Sequence, residues 1–198
     1  MTTHSATQIG RPRNEVRDIV IAAVFTLIEG GATLSSLTLV RIAEHSGISR
    51  NSLYRRWQSK DALYSEVVAS MKYAVPDLSE QSAREKLVTL MHADVARAVD
   101  GNELSMRFAI MAEAKNFPHL FEQYLIDVVA PFVEEMKVAI RRGKETGEIR
   151  IDIDEGLLCD VLSSTARALT VSSRREGQAL RSTIQRLTDL VFDGATPK

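Results

Sequence analysis

Cys159 is the only cysteine among the 198 residues, so no disulfide can form within the chain and a reducing compartment suits it. No apolar run is long enough to span a bilayer, and the opening MTTHSATQIG lacks the basic-then-apolar order of a secretory signal. A cytoplasmic protein with no membrane partner is therefore expected. Strand-type alternation is nearly absent, and no repeat or low-complexity stretch occurs. Metal-ligand spacing is missing too. His92, Asp94, Glu113 and His119 contain no i, i+4 pair and read as solvated helix faces. Cys159 and the histidines form no nucleophile–base signature, and the thiol reads as a small packing group. No catalytic residue, cofactor or metal is expected.

What the chain does have is helical periodicity and an uneven charge distribution. The net charge is only −1. Residues 1–60 nevertheless carry eight Lys or Arg against four acids, while the remainder carries seventeen against twenty-two. A basic front and an acidic remainder suit a nucleic-acid-reading head on a body with another task. The pattern predicts an all-α fold, divided into a head over residues 1–58, a connecting helix over 59–75 and a helical body over 76–198. Helices are predicted over 14–29, 39–46, 50–57 and onward from the cap Ser59, with a hinge at 76–79. In the body they are predicted over 82–99, 104–115, 118–142 (bent at Pro131), 155–172 and 176–192, with a turn at 100–102.

Thr38 to Leu63, TLVRIAEHSGISRNSLYRRWQSKDAL, reads as a helix-turn-helix. Leu39, Ile42 and Ala43 form one apolar stripe. Gly47 stands where the first helix must end in a turn that glycine enters without steric cost. Ser49 can cap the second helix, whose inner face is Ile48, Leu53 and Trp57. That leaves Arg50, Asn51, Ser52, Tyr54 and Arg55 outward, able to reach phosphates and base edges in a major groove. Arg can take guanine and Asn adenine, each pair contributing roughly 1–3 kcal/mol of discrimination. Thr38 and Ser49 are caps, phosphate donors or both. Arg11 and Arg13 are either a minor-groove arm or a basic tail.

These residues resemble the TetR family of bacterial transcriptional regulators. The likeness lies in Thr38-Leu39, Ile42-Ala43, Gly47-Ile48-Ser49, Leu53-Tyr54, Trp57, Ser59-Lys60 and Leu63, preceded by Gly10-Arg11-Pro12-Arg13. Gly147-Glu148-Ile149 and Ala112-Glu113-Ala114 with Phe117-Pro118 look like the C-terminal half of one branch. Asn51 stands where a small residue is frequent, Trp57 where phenylalanine is common and Gln58 where proline is. The resemblance implies a small N-terminal DNA-binding domain and a larger helical domain for ligand binding and dimerisation. It also implies phosphate contacts by Tyr54 and Lys60.

In the body, Met and aromatic side chains are plentiful enough to line an adaptable cavity. Met111, Phe117, Phe121 and Tyr124 are candidate walls, with Arg107, Glu113 and Arg167 as polar orienting groups if they point inward. The last two helices carry more apolar surface than a monomer's tail needs. Leu158, Val161, Leu162 and Leu169 on one, with Leu180, Ile184, Leu187 and Val191 on the other, are candidate twofold interface residues. The expected protein is a homodimer that reads a pseudo-palindromic duplex, most simply as a repressor released by a small effector. The rival is a helical scaffold that keeps the head without reading sequence.

Overall fold

The computed structural model describes residues 13–73, 78–99, 103–172 and 177–195, with backbone alone for Arg13, Leu169, Ser172, 177–181 and Ala195. Arg11, the turn at 100–102 and part of the expected hinge at 76–79 lie outside the described residues. Every regular element among the described residues is helical. Backbone contacts divide the chain into two units, Met1–Val67 and Val68–Lys198, each with its own internal packing.

The first unit contains α1 (Arg13–Glu29), α2 (Leu39–Ser46), α3 (Arg50–Arg56) and most of α4 (Lys60–Ser70). Val20, Val24, Ile42, Leu53, Trp57 and Leu63 are essentially unexposed and form its core. Three side-chain caps punctuate this unit. Thr38 Oγ1 accepts from Arg41 N at 3.1 Å, Ser49 Oγ from Ser52 N at 3.2 Å and Ser59 Oγ from Ala62 N at 3.1 Å. Each satisfies an amide that the first helical turn leaves without an internal partner, worth roughly 1 kcal/mol. Gly47 adopts φ 66°, the left-handed conformation that closes α2.

The second unit is organised around α5 (Ala83–Val99), which packs against α6 (Glu103–Ala112), α8 (Ala130–Glu145), α9 (Glu155–Ser172) and α10 (Gly177–Ala195). Leu87, Leu90, Met91, Met136, Ile140 and Leu162 fill the space between them. A reciprocal capping box starts α5. Ser82 N donates to Glu85 Oε2 at 3.0 Å, and Glu85 N donates to Ser82 Oγ at 3.2 Å. The backbone N–H of Ser82, then its hydroxyl, hold the Glu85 carboxyl below its usual range.

The Gly147-Glu148-Ile149 turn has a physical task at each position. Gly147 sits at φ 80° past the end of α8. Glu148 accepts from the Ala83 amide at 3.1 and 3.3 Å, capping a helix 65 residues away in sequence. Ile149 is buried against Gly143, where an added Cβ would lie 2.8 Å from its Cδ1 and 2.7 Å from Ala83 Cβ.

One expected helix is not continuous. Residues 118–142 are predicted as one helix bent at Pro131, but the chain forms α7 (Pro118–Tyr124), a π-helical turn over Leu125–Val129, and then α8, which runs on to Glu145. Ala130 N–H reaches back five residues to Leu125 O. Pro131 has no N–H and crowds the carbonyl four residues earlier, so a wider turn just ahead of it relieves the conflict. The preceding helix is likewise shorter than expected: α6 ends at Ala112, and Asn116 N–H and Phe117 N–H both close onto Glu113 O in the turn that follows.

Candidate nucleic-acid interface and body cavity

Leu53 and Trp57 turn the inner side of α3 into the head, which leaves Arg50, Asn51, Tyr54 and Arg55 exposed on its other side and Ser52 half-buried. Tyr54 is 48% exposed, unusually open for an aromatic residue beside a filled core. Ser49 and Thr38 are engaged as caps, and Ser49 Oγ also donates to Ser52 Oγ at 2.9 Å. Arg50 Nη2 lies 2.5 Å from Glu44 Oε1, an exposed pair bridging α2 and α3. Arg56, by contrast, is turned inward. It stacks over the Trp57 ring at 5.1 Å and pairs with Glu66, which Arg17 also reaches at 3.2 Å.

Lys60 departs from the expected outward reach. Its ammonium donates to Ser35 O at 3.1 Å and Leu34 O at 3.3 Å, tying the α2-leading turn to the start of α4. Tyr64 Oη donates to Leu34 O as well, at 2.7 Å. Of the two residues of the expected basic arm, Arg11 is outside the described residues and Arg13 is the first residue of α1.

The second unit holds a cavity of about 200 Å³ between α5, α6, α7, the π turn and α9. Five of the seven expected ligand residues line it: Arg107, Met111, Phe121, Tyr124 and Arg167. Glu113 and Phe117 do not; the turn after α6 carries them away from the lining. Leu125 and Val129, both in the π turn, complete the wall together with Ala98, Leu104 and Phe108.

Sequence reasoning missed the polar floor. Asp94, expected on a solvated face, is drawn inward by Arg107, whose Nη1 donates to it at 2.7 Å. Arg107 Nη2 donates to Glu103 at 2.9 Å, and Glu103 also pairs with Arg97 at 2.9 Å. Burial opposes the Arg107 charge, but Asp94 and then Glu103 outweigh it and hold the guanidinium above its usual range. Burial pushes the Tyr124 phenol up, with the Arg107 cation pulling the other way. The i, i+4 spacing of Glu103 and Arg107 was a legible signal of that pair; the Asp94 contact across helices was not.

Three expected interface residues belong to the unit's own interior. Leu158, Leu162 and Ile184 are packed into its core and cannot meet a second subunit. They face inward because α9 and α10 both pack on α5, so one side of each apolar helix is spent there. Val161 is exposed, Leu187 and Val191 are partly so, and the side chains of Leu169 and Leu180 lie outside the described residues. The outward stripe of α9 is instead Leu157, Val161 and Val171, with Leu190 on α10 72% exposed. Cys159 is buried, which pushes its thiol to about 11 and keeps it protonated.

Comparison with known proteins bears on the head first. Residues 19–67 match the family described as bacterial regulatory proteins, tetR family. The match covers the head alone: residues 19–67 are similar to the helix-turn-helix domain of that family. A Bacillus subtilis (strain 168) relative, the uncharacterized HTH-type transcriptional regulator YdeS, is 27% identical over 159 residues, covering 77% of each chain. Among solved structures, the flavonoid-responsive regulator FrrA superposes with a TM-score of 0.63 at 20% identity, covering 93% of this chain and 99% of that one. FadR from Bacillus subtilis, in complex with stearoyl-CoA, does so with a TM-score of 0.65 at 15% identity, covering 89% and 98%. At these identities the structural matches speak for fold. They agree with the all-α architecture of a helix-turn-helix head and a helical C-terminal domain. The matched family and the Bacillus subtilis relative are both described as transcriptional regulators, and the match falls on the helix-turn-helix head. No helix among the described residues is long and apolar enough to cross a membrane.

Proposed function

We propose that this chain is a TetR-family regulator, a cytoplasmic homodimeric repressor that reads a pseudo-palindromic operator and leaves it when a small effector occupies the body cavity. The observation that carries the reading is the outer side of α3, where polar side chains stand clear of a filled core. Arg50 and Asn51 are the base readers in this proposal, and Tyr54, Arg55, Ser52, Ser49 and Thr38 hold phosphates. Arg11 and Arg13 reach an adjacent minor groove. Lys60 joins the phosphate contacts only by exchanging the carbonyls of Leu34 and Ser35 for the backbone of the duplex.

Two heads must meet successive major grooves about 34 Å apart. We assign the pairing surface to Leu157, Val161 and Val171 of α9 with Leu187 and Leu190 of α10. The head unit is residues 1–58 with the connecting segment 59–75, whose expected helix ends at Ser70, and the body 76–198 carries cavity and interface. Effector in the cavity shifts the dimer toward a state whose heads no longer match the groove spacing. Its leverage equals its difference in affinity for the two states, and no more.

The test is selection of a duplex from random sequence, followed by titration of the palindrome recovered. Specific sites bind with dissociation constants on the order of 10⁻⁸ to 10⁻¹¹ M at physiological salt. Tyr54→Ala should weaken binding about tenfold on every sequence, whereas Asn51→Ala should relax preference at one base pair per half-site. Binding that is equally tight on unrelated duplexes, or untouched by both changes, would reject sequence reading by α3.

A further inference from the structure

The chemistry of the cavity narrows the effector. Its charged lining residues are Asp94, Arg107 and Arg167. Asp94 and Arg107 neutralise each other at 2.7 Å, and behind them Glu103 and Arg97 form a second balanced pair. Arg167 is the remainder. It is exposed, its Nη2 is 3.4 Å from the Ser164 hydroxyl, and among the described residues no carboxylate lies within ion-pair distance of it. It is close enough for its charge to act on the Tyr124 phenol. That hydroxyl has no hydrogen-bond partner among the described residues, although the Tyr124 ring is buried. The cavity therefore presents one surplus positive charge and one idle O–H donor; of its remaining wall only Thr170 is polar, and its hydroxyl already donates to Ala166 O at 2.9 Å.

A neutral apolar ligand covering Arg167 would strip water from a cation and give nothing back. A cationic ligand would meet the surplus charge, since both nearby carboxylates already serve Arg107. A dianionic phosphate would leave one of its charges unbalanced in an apolar site. A monoanion with an apolar body meets all three conditions. Size follows from comparison: an apolar cavity of about 150 Å³ holds benzene, so one of about 200 Å³ holds a single ring with a short side arm.

We infer that the effector class is a small aromatic carboxylic acid, its carboxylate held between Arg167 and the Tyr124 hydroxyl and its ring against Phe121, Leu125 and Met111. This rests on the effector-site reading proposed above. At neutral pH the raised Tyr124 phenol stays protonated and is available as the donor.

Calorimetric titration of the full-length protein with benzoate and phenylacetate, each against its neutral amide and against benzylamine, tests the class. The acids should bind about tenfold more tightly than their amides, as one charge-assisted contact provides. Arg167→Gln should erase that difference while leaving amide affinity in place, and Tyr124→Phe should reduce it by a few-fold. Because Arg167 is exposed, its replacement does not disturb the core. Amide or amine binding as tight as acid, no saturable binding of the acids at millimolar concentration, or an acid preference that survives Arg167→Gln would each overturn the inference. Operator release is scored separately. Acid binding without operator release upholds the ligand class and sinks the regulatory reading. Operator release by the amides alone does the reverse.

Discussion

The two units of this chain use their apolar residues in different ways. The head buries its apolar residues fully: Leu34, Leu53, Leu63 and Trp57 are at most 1% exposed, and polar residues cap its helices and occupy the outside of α3. The body leaves about 200 Å³ empty and interrupts its helices around that space with a π turn. A rigid reader needs unique positions for side chains that must meet fixed groups on a duplex. A sensor needs helices with more than one packing of similar energy. The contrast between a buried core and a hollow one is thus what the proposed division of labour between reading and sensing requires.

The largest expected effect tests whether the two units are energetically separate. Trp57→Ala removes a side chain that is 1% exposed and should cost about 3–5 kcal/mol. A unit of this size has total stability of only about 3–10 kcal/mol, so the head should unfold or nearly so. Operator binding should vanish in gel-shift titrations, while the body keeps its cooperative urea transition by circular dichroism. Loss of both transitions together would mean that the units fold as one.

Two glycines sharpen the same comparison, because each is required for a different reason. At Gly143, in the body, a methyl group would strike Ala83 Cβ at 2.7 Å and Ile149 at 2.8 and 2.9 Å. Gly143→Ala should cost about 1–3 kcal/mol despite better helix propensity, and Ile149→Val, which removes one of the struck atoms, should recover part of it. At Gly47, in the head, nothing lies within 4 Å and the constraint is φ 66° alone. Gly47→Ala should cost about 1–2 kcal/mol, and Gly47→Asn less, since asparagine enters that conformation more readily. Chemical denaturation of the four variants decides. If Ile149→Val fails to rescue Gly143→Ala, the crowding is not where the geometry puts it.

The head was legible in the sequence because each residue there answers to a local rule. Thr38, Gly47 and Ser49 mark helix ends, and α2 begins and ends where Leu39 and Ser46 were expected. The body was less so. Whether Asp94 points to water or to Arg107 depends on which helix lies opposite, and no spacing within α5 records that. Leu158, Leu162 and Ile184 look the same in sequence as Leu157 and Leu190, since α9 and α10 are apolar on more than one side. Periodicity identifies an apolar face but not the surface that will cover it. The inward turn of Lys60 was hidden for the same reason, because its partners Leu34 and Ser35 are 26 and 25 residues away.

The smallest expected effect concerns the ion pair that the reading face carries in the free protein. Arg50 and Glu44 are 2.5 Å apart with side chains 58% and 62% exposed. Exposed pairs contribute about 0.2–1 kcal/mol, so Glu44→Gln should leave stability nearly unchanged. Its effect on DNA should be larger than its effect on folding. The carboxylate both occupies a proposed base reader and places negative charge at a surface proposed to meet phosphates, so its loss should tighten operator binding by about two- to fivefold. The salt slope should also steepen by about one, because one more cation becomes free to displace counterions. Titrations at two salt concentrations measure both quantities. Weaker binding by Glu44→Gln would instead make Glu44 a positioning residue that aims Arg50, or a direct acceptor from a cytosine amino group, and the polar face of α3 would then extend onto α2.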